Sequence, residues 1–384
     1  MLRKIVDLTT SLKLTIVCLA AGMVLIFAGT LAQVHLGIHE AQQRYFQSWL
    51  VRWPAEGNGF RIPIFPGGHL IGAVLLVNLI AAHVKRFRWT WKKFGIHLTH
   101  AGLIIMLAGG LFTDLFAVES HMQLQRGDTK NYSEDQRHME LAVIDTTDND
   151  LDQVTAIPES LLKTNRTIDH WSLPFRIAVN NFYQNASLKM SSDAGGARPI
   201  ANQGPGAMIA VQPLPRTTAQ DERDVPAAAI EILPKDGGSL GTWLVSDGLG
   251  APQTFSCGGR TWMIAMRTAR YYKPYSVTLQ KFTHEKYAGT EIPKNFASKV
   301  TLIDPERKVS RDVLIYMNHP LRYRGETFYQ AGFQQDDRAT ILQVVHNPSF
   351  LAPYVACVIV AAGLLWQFGF HLIGFARQRR KASA

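Results

Sequence analysis

Residues 94–116, FGIHLTHAGLIIMLAGGLFTDLF, are long and apolar enough for a helix that crosses a bilayer, yet the block opens with two histidines, His97 and His100, set three positions apart. Residues 14–34, 67–84 and 351–375 form similar apolar blocks, each near the roughly 20 residues that a crossing requires. Hydrophobicity gathered in this way predicts a membrane protein rather than a string of soluble domains. The expected fold is four transmembrane α-helices, three N-terminal and one C-terminal, with a large β-rich domain between the third and fourth. Residues 1–116 are read as the membrane region, 117–350 as the inserted domain and 351–384 as the last helix with a basic tail.

The formal net charge is +10, and its placement accounts for it. Arg3, Lys4 and Lys13 flank the first block. Lys85, Arg86, Arg88, Lys92 and Lys93 join the second to the third, and Arg377, Arg379, Arg380 and Lys381 close the chain. By the positive-inside rule these segments, with both termini, are cytoplasmic in a bacterial inner membrane. The inserted domain is then periplasmic or otherwise extracytoplasmic. Charge placed this way argues for membrane topology and against a nucleic-acid partner. The first block is too long for a signal-peptide core and lacks a small-residue cleavage site, so it reads as an uncleaved anchor. Of three cysteines, Cys18 and Cys357 lie in apolar blocks and Cys257 is alone in the domain. The chain therefore has no intrachain disulfide framework, no CxxC pair and no CxxCH haem-attachment motif.

After the first block, residues 35–66 are expected at the outer interface. Phe46, Trp49, Leu50 and Trp53 recur at helical spacing, which fits a helix in the headgroup layer; a loop packed on the domain is the open alternative. Residues 117–350 alternate over short segments such as MELAVIDTTDND, WMIAMRTARYY, SKVTLID and DVLIYMNHP, the pattern of strands. LPFRIAVNNF from Leu173 and KPYSVTLQKF from Lys273 share a layout that suggests a duplicated strand unit. Residues 187–226, rich in Gly, Pro and polar side chains, are expected to be a mobile insertion.

His100 lies six residues inside its block, roughly 9 Å along a helix axis, where an imidazole calls for a partner or a ligand. His97 is nearer the basic loop at the water interface. His69, after the turn FPGG, stands at the other end of the bundle. Imidazole is a common haem ligand, so His100, His97 and His69 are the candidate cofactor-binding residues, with His100 the candidate iron ligand. His39, His83 and His371 read as interfacial, and His35 stands near the outer face. Small residues at Ala101, Gly102, Ala108, Gly109 and Gly110 permit close approach of a backbone or a flat macrocycle, and Asn78 in mid-span suits a bond between helices.

The third block with its continuation AVESHMQLQRGDTKNYSE, then MNHPLRYRGETFYQAGFQQDD and LQVVHNPS before a final block, resembles the ResB family of cytochrome c biogenesis proteins. The string from Asn318 to Gln330, with Pro320, Tyr323, Gly325 and Tyr329, carries most of the resemblance and reads as a hairpin that packs on the domain or docks a partner. What the resemblance implies is a system II subunit that works with a CcsA-type membrane protein. Together they would carry haem b across the membrane and present it to apocytochrome c CxxCH motifs, with thioredoxin-like thiol reductants among the partners. The family's transmembrane histidine corresponds to His100. No catalytic set of acid, base and nucleophile is visible, so a non-catalytic or co-catalytic subunit of a haem lyase is expected. Two rivals stand beside this reading: a transmembrane b-type electron carrier, and a structural assembly factor without haem.

Overall fold

The computed structural model describes residues 2–53, 62–148, 151–164, 166–193, 198–217, 223–286, 289, 293–333 and 339–382. The chain divides into two compact units, Met1–Val118 with His346–Ala384, and Glu119–Val345.

In the first unit a short amphipathic helix α1 (Leu2–Thr9) precedes α2 (Leu12–Ala41), whose first turn is capped by the Ser11 hydroxyl. Helices α3 (Gly68–Arg86) and α4 (Phe94–Phe116) follow, and the chain returns to this unit in α6 (Ala352–Ala382). Among the described residues four helices are long and apolar enough to cross a membrane, those containing α2, α3, α4 and α6. Asn78, 2% exposed, ties α3 to the break between α1 and α2. Its amide donates to the carbonyls of Thr9 and Ser11, and its oxygen accepts from Thr15 at 2.6 Å, so every polar atom of this buried amide is used.

Helix α4 lies on α6 at backbone distance. A methyl group at Gly95 would stand 2.5 Å from the Gly363 carbonyl oxygen, one at Gly102 2.5 Å from Val360 Cγ2, and one at Gly109 2.5 Å from Ala352 Cβ. Those glycines recur every seven residues and so line one stripe of the helix. Trp366 at the loop end donates its indole N–H to the Trp91 carbonyl at 3.0 Å and packs on Phe94.

The segment read as either an interfacial helix or a packed loop is built as a turn and a strand pair. Gly37 leaves the helical region (φ 74°), a π-helical turn follows at Gln42–Phe46, and the Phe46 ring returns onto Gly29 of α2. Leu50–Trp53 is a strand, paired antiparallel with Ile62–Pro66. Proline at 63 and 66 keeps that partner extended and leaves it a free edge, so pairing prevails over the helical spacing of the aromatic residues. Residues 54–61 of the expected interfacial stretch lie outside the described residues.

The second unit is β-rich, and among the described residues its one α-helix, α5 (Glu159–Leu162), has four residues. Among the described residues its largest sheet has ten strands. Eight run in the spatial order Val309–Tyr316, Pro293–Asp304, Arg260–Lys286, Thr129–Asp145, Val118–Gln125, Ala339–His346, Glu326–Phe333, Leu321–Tyr323. Gln253–Cys257 and Gln153–Pro158 add to it. A four-stranded sheet orders Thr242–Ser246, Ala227–Pro234, Phe175–Tyr183 and Thr167–Asp169. The two similar strings seed separate cores: Phe175, Ile177 and Val179 enter one, and Tyr275, Val277 and Leu279 the other. The stretch 187–226, expected to be mobile, instead pairs Ala186–Met190 with Ile209–Pro213 and packs Leu188, Ile209 and Val211 over Ala186, Ala201, Ala227 and Leu244. Its few apolar residues are spaced for a strand, a pattern that the surrounding Gly and Pro obscure; residues 194–197 and 218–222 lie outside the described residues.

The α4–α6 contact predicts a pair of outcomes. Gly102→Leu destabilises the protein by about 1–3 kcal/mol, the usual cost of overpacking, whereas Gly110→Leu, with open space at its Cβ, stays within about 0.5 kcal/mol. Unfolding of the detergent-solubilised protein, followed by intrinsic fluorescence, separates the two.

Candidate functional site: the histidine seam between α3 and α4

With the glycine stripe of α4 against α6, its histidines fall on another face and meet α3. His97 is two residues beyond Gly95 and His100 two before Gly102, about 200° around the helix in either direction. There His83, in the last turn of α3, lies 5.1 Å from the His97 ring and 5.5 Å from the His100 ring, centroid to centroid. Phe87 closes the apolar side, 4.7 Å from His97.

The hydrogen bonds set the tautomers. His100 Nδ1 faces the Ile96 carbonyl at 2.9 Å, and a carbonyl only accepts, so the proton sits on Nδ1 and Nε2 keeps its lone pair. His97 is the reverse: Nε2–H donates to the Arg88 carbonyl at 3.0 Å, and Nδ1 is enclosed with no hydrogen-bond partner among the described residues. Of the two, His100 is the better-prepared ligand. Of the basic residues beside them, Lys85 pairs with Asp7 and Arg86 donates to the Thr10 carbonyl, while Arg88, Lys92 and Lys93 are exposed.

His69 occupies the far end of the same seam. Its Nε2 meets the Asp114 carboxylate, whose other oxygen accepts from Gln47 at 2.8 Å, and Trp49 packs on its ring. His69 to His83 on α3 and Asp114 back to His100 on α4 are equal steps of fourteen residues. The seam therefore has two levels, about 21 Å apart along the helices at 1.5 Å per residue. Sequence reasoning had placed His83 among interfacial residues and passed over Asp114. The signal for both was the antiparallel register across the loop at 87–93, which puts His83 opposite His97 and His100.

His100, with Nε2 unengaged, is the residue of this set that could hold a haem iron. Among the described residues no three His, Cys, Asp or Glu side chains are arranged to hold a bare metal ion. One or two imidazoles are what an iron needs when a macrocycle fills its other positions.

In the second unit the string from Asn318 to Gln330 is structural. Asn318 (φ 61°) makes the turn between Tyr316 and His319 and leads through Pro320 into Leu321–Tyr323; Arg324 and Gly325 (φ 46° and 81°) form the left-handed two-residue turn to Glu326. Tyr323 donates to Asp304 at 2.7 Å. Burial alone would raise the Asp304 carboxyl, but the hydrogen bonds from Tyr323 and the Arg307 N–H, with the Arg324 guanidinium, hold it below the usual carboxylate range. Gln330 bridges Ser298 and Thr340, and Phe328 is fully buried. Glu326 receives Lys273 and the Tyr275 hydroxyl, a phenol that burial and this carboxylate push well up. Tyr329 alone of the six singled-out residues turns a large ring outward, 38% exposed. Glu326→Leu strands a buried ammonium and is expected to cost about 3–5 kcal/mol; Tyr329→Ala is expected within about 0.5 kcal/mol. Denaturant unfolding measures both.

Residues 238–345, which contain this string, match the ResB-like family model. Protein NrfI of Wolinella succinogenes is 34% identical over 93 residues, 24% of this chain and 10% of NrfI. Cytochrome c biogenesis protein CcsB of Synechococcus sp. (strain JA-2-3B'a(2-13)) is 35% identical over 80 residues, 21% of this chain and 16% of that protein; its counterpart from strain JA-3-3Ab is equally similar. The matched part is thus a tenth to a sixth of these relatives' own length. Residues 238–345 are ResB-like, and the chain is similar to proteins of cytochrome c biogenesis.

Proposed function

We propose that this chain is a membrane subunit of cytochrome c biogenesis that takes up haem b at the α3–α4 seam. Working beside a CcsA-type partner, it helps present the haem to apocytochrome CxxCH motifs, for which thioredoxin-like reductants keep the cysteines reduced. The observation that supports it is His100: an imidazole inside an apolar helix, with Nδ1–H fixed on a backbone carbonyl and Nε2 left with its lone pair. Bound there, haem supplies the vinyl groups and iron that thioether formation needs. His100 would be the residue of this chain that holds the iron. His97 braces the seam through the Arg88 carbonyl, Phe87 keeps water off the rings, and Arg88, Lys92 and Lys93 offer cations to the propionates. In this orientation the basic loop and both termini are cytoplasmic, and the β-rich unit is extracytoplasmic.

The reading of a two-haem electron carrier requires free imidazoles at both levels. At the far level the His69 Nε2 is engaged by Asp114, the kind of carboxylate support that imidazole ligands commonly have, so haem stoichiometry is what separates the two readings.

The test is complementation of a deletion strain, read as covalently bound haem on its c-type cytochromes. His100→Ala is expected to lower holocytochrome c by about tenfold or more, the scale on which ligand supports affect a metal site, with recovery on added imidazole. Wild-type maturation by His100→Ala would overturn the assignment.

A further inference from the structure

Helix α1 ends in a built break and does not run on into α2. Ser11 is extended (φ −78°, ψ 131°) and caps α2, and the last turns of α3 take up the carbonyls that the break exposes. Asn78 donates to Thr9 at 2.7 Å and to Ser11 at 3.1 Å, and Arg86 donates to Thr10 at 3.2 Å. Lys85 reaches the Thr10 hydroxyl at 3.2 Å and the Asp7 carboxylate at 2.7 Å. Thr10 and Asn78 are both buried. A span that continued straight through residues 9–11 would bond those carbonyls within the helix and leave the Asn78 amide unpaired, so the break and the asparagine belong together.

The other end of α1 is held differently. Arg3 and Lys4 are exposed, and among the described residues neither has a hydrogen-bond or ion-pair partner. The only acid of α1, Asp7, is already matched by Lys85, so the charge of Arg3 and Lys4 is uncompensated. On a helix Arg3, Lys4 and Asp7 share an arc of about 100°. At its two borders Val6 and Leu8 are 43% and 63% exposed, with no protein over them. Eight residues span only about 12 Å and cannot cross a bilayer. A short helix with cations on one arc and uncovered apolar groups beside it belongs in the plane of the membrane interface. The level fits, because α1 docks on the end of α3 that leads into the basic loop, where Trp89 and Trp91 are exposed in the manner of interfacial anchors.

We infer that α1 is a latch for anionic phospholipid: Arg3 and Lys4 bind headgroup phosphates, Val6 and Leu8 dip below them, and the Asp7–Lys85 pair carries that hold to the end of α3. A zwitterionic headgroup brings its own cation to each phosphate and so matches two unpaired cations less well than an anionic one. The latch is independent of haem at the seam.

The experiment places the full chain in nanodiscs of phosphatidylcholine alone, or of phosphatidylcholine with about one third phosphatidylglycerol, and follows amide hydrogen exchange over residues 2–9. Exchange is expected to be about tenfold slower with phosphatidylglycerol, and high salt should remove the difference. Arg3→Gln with Lys4→Gln should also remove it while unfolding at the wild-type temperature. Arg380→Gln with Lys381→Gln, which takes two exposed cations from the end of α6, should keep it. Equal exchange of the wild type in the two lipids would overturn the inference, as would a lipid effect that survives loss of Arg3 and Lys4. So would an effect lost equally in the α6 variant, which would make it one of bulk charge, or slowing that appears only when a CcsA-type protein is added, which would make α1 a protein-docking helix.

Discussion

Three glycines, one heptad apart, let α4 rest closely on α6, against the Gly363 carbonyl, Val360 and Ala352, and that contact fixes which way the rest of α4 faces. A helix has only so many faces: once the stripe through Gly95, Gly102 and Gly109 is taken, His97 and His100 are turned toward α3, and so is Asp114 in the last turn. Antiparallel pairing then brings His83 to His100 and His69 to Asp114. The two levels of the seam are one construction repeated after fourteen residues, with different chemistry at each: imidazoles together at one end, an imidazole and a carboxylate at the other.

The chain keeps its ResB-like match and its histidine chemistry in different units. Residues 238–345 lie in the β-rich unit, and the string within them works by turn geometry and buried polar contacts: Arg324 and Gly325 close the hairpin, Gln330 joins neighbouring strands, and Glu326 neutralises a buried lysine. A carboxylate and an ammonium removed from water hold their place only while both are present. That makes the string sensitive to substitution without making it catalytic.

Much of this was legible in the sequence, and the exceptions have physical causes. The apolar block of α4 coincides with the helix from Phe94 to Phe116, since its length and composition leave no other element. Alternation revealed the long strands for a similar reason. The stretch from Phe46 to Trp53 misled because helical spacing there coexists with a positive-φ glycine upstream and a proline-held strand as partner, both of which act at a distance in the chain. His83 looked interfacial because its neighbours in sequence are basic; its neighbours in space are set by helix pairing. Asp114 was missed because its partner, His69, is 45 residues away and on another helix.

The most direct measurement is an experimental map of the chain with its CcsA-type partner, loaded with haem. The account predicts planar density at the α3–α4 seam, within bonding reach of His100. Planar density held by the partner's imidazoles alone, with His83 and His100 still packed against each other, would contradict it.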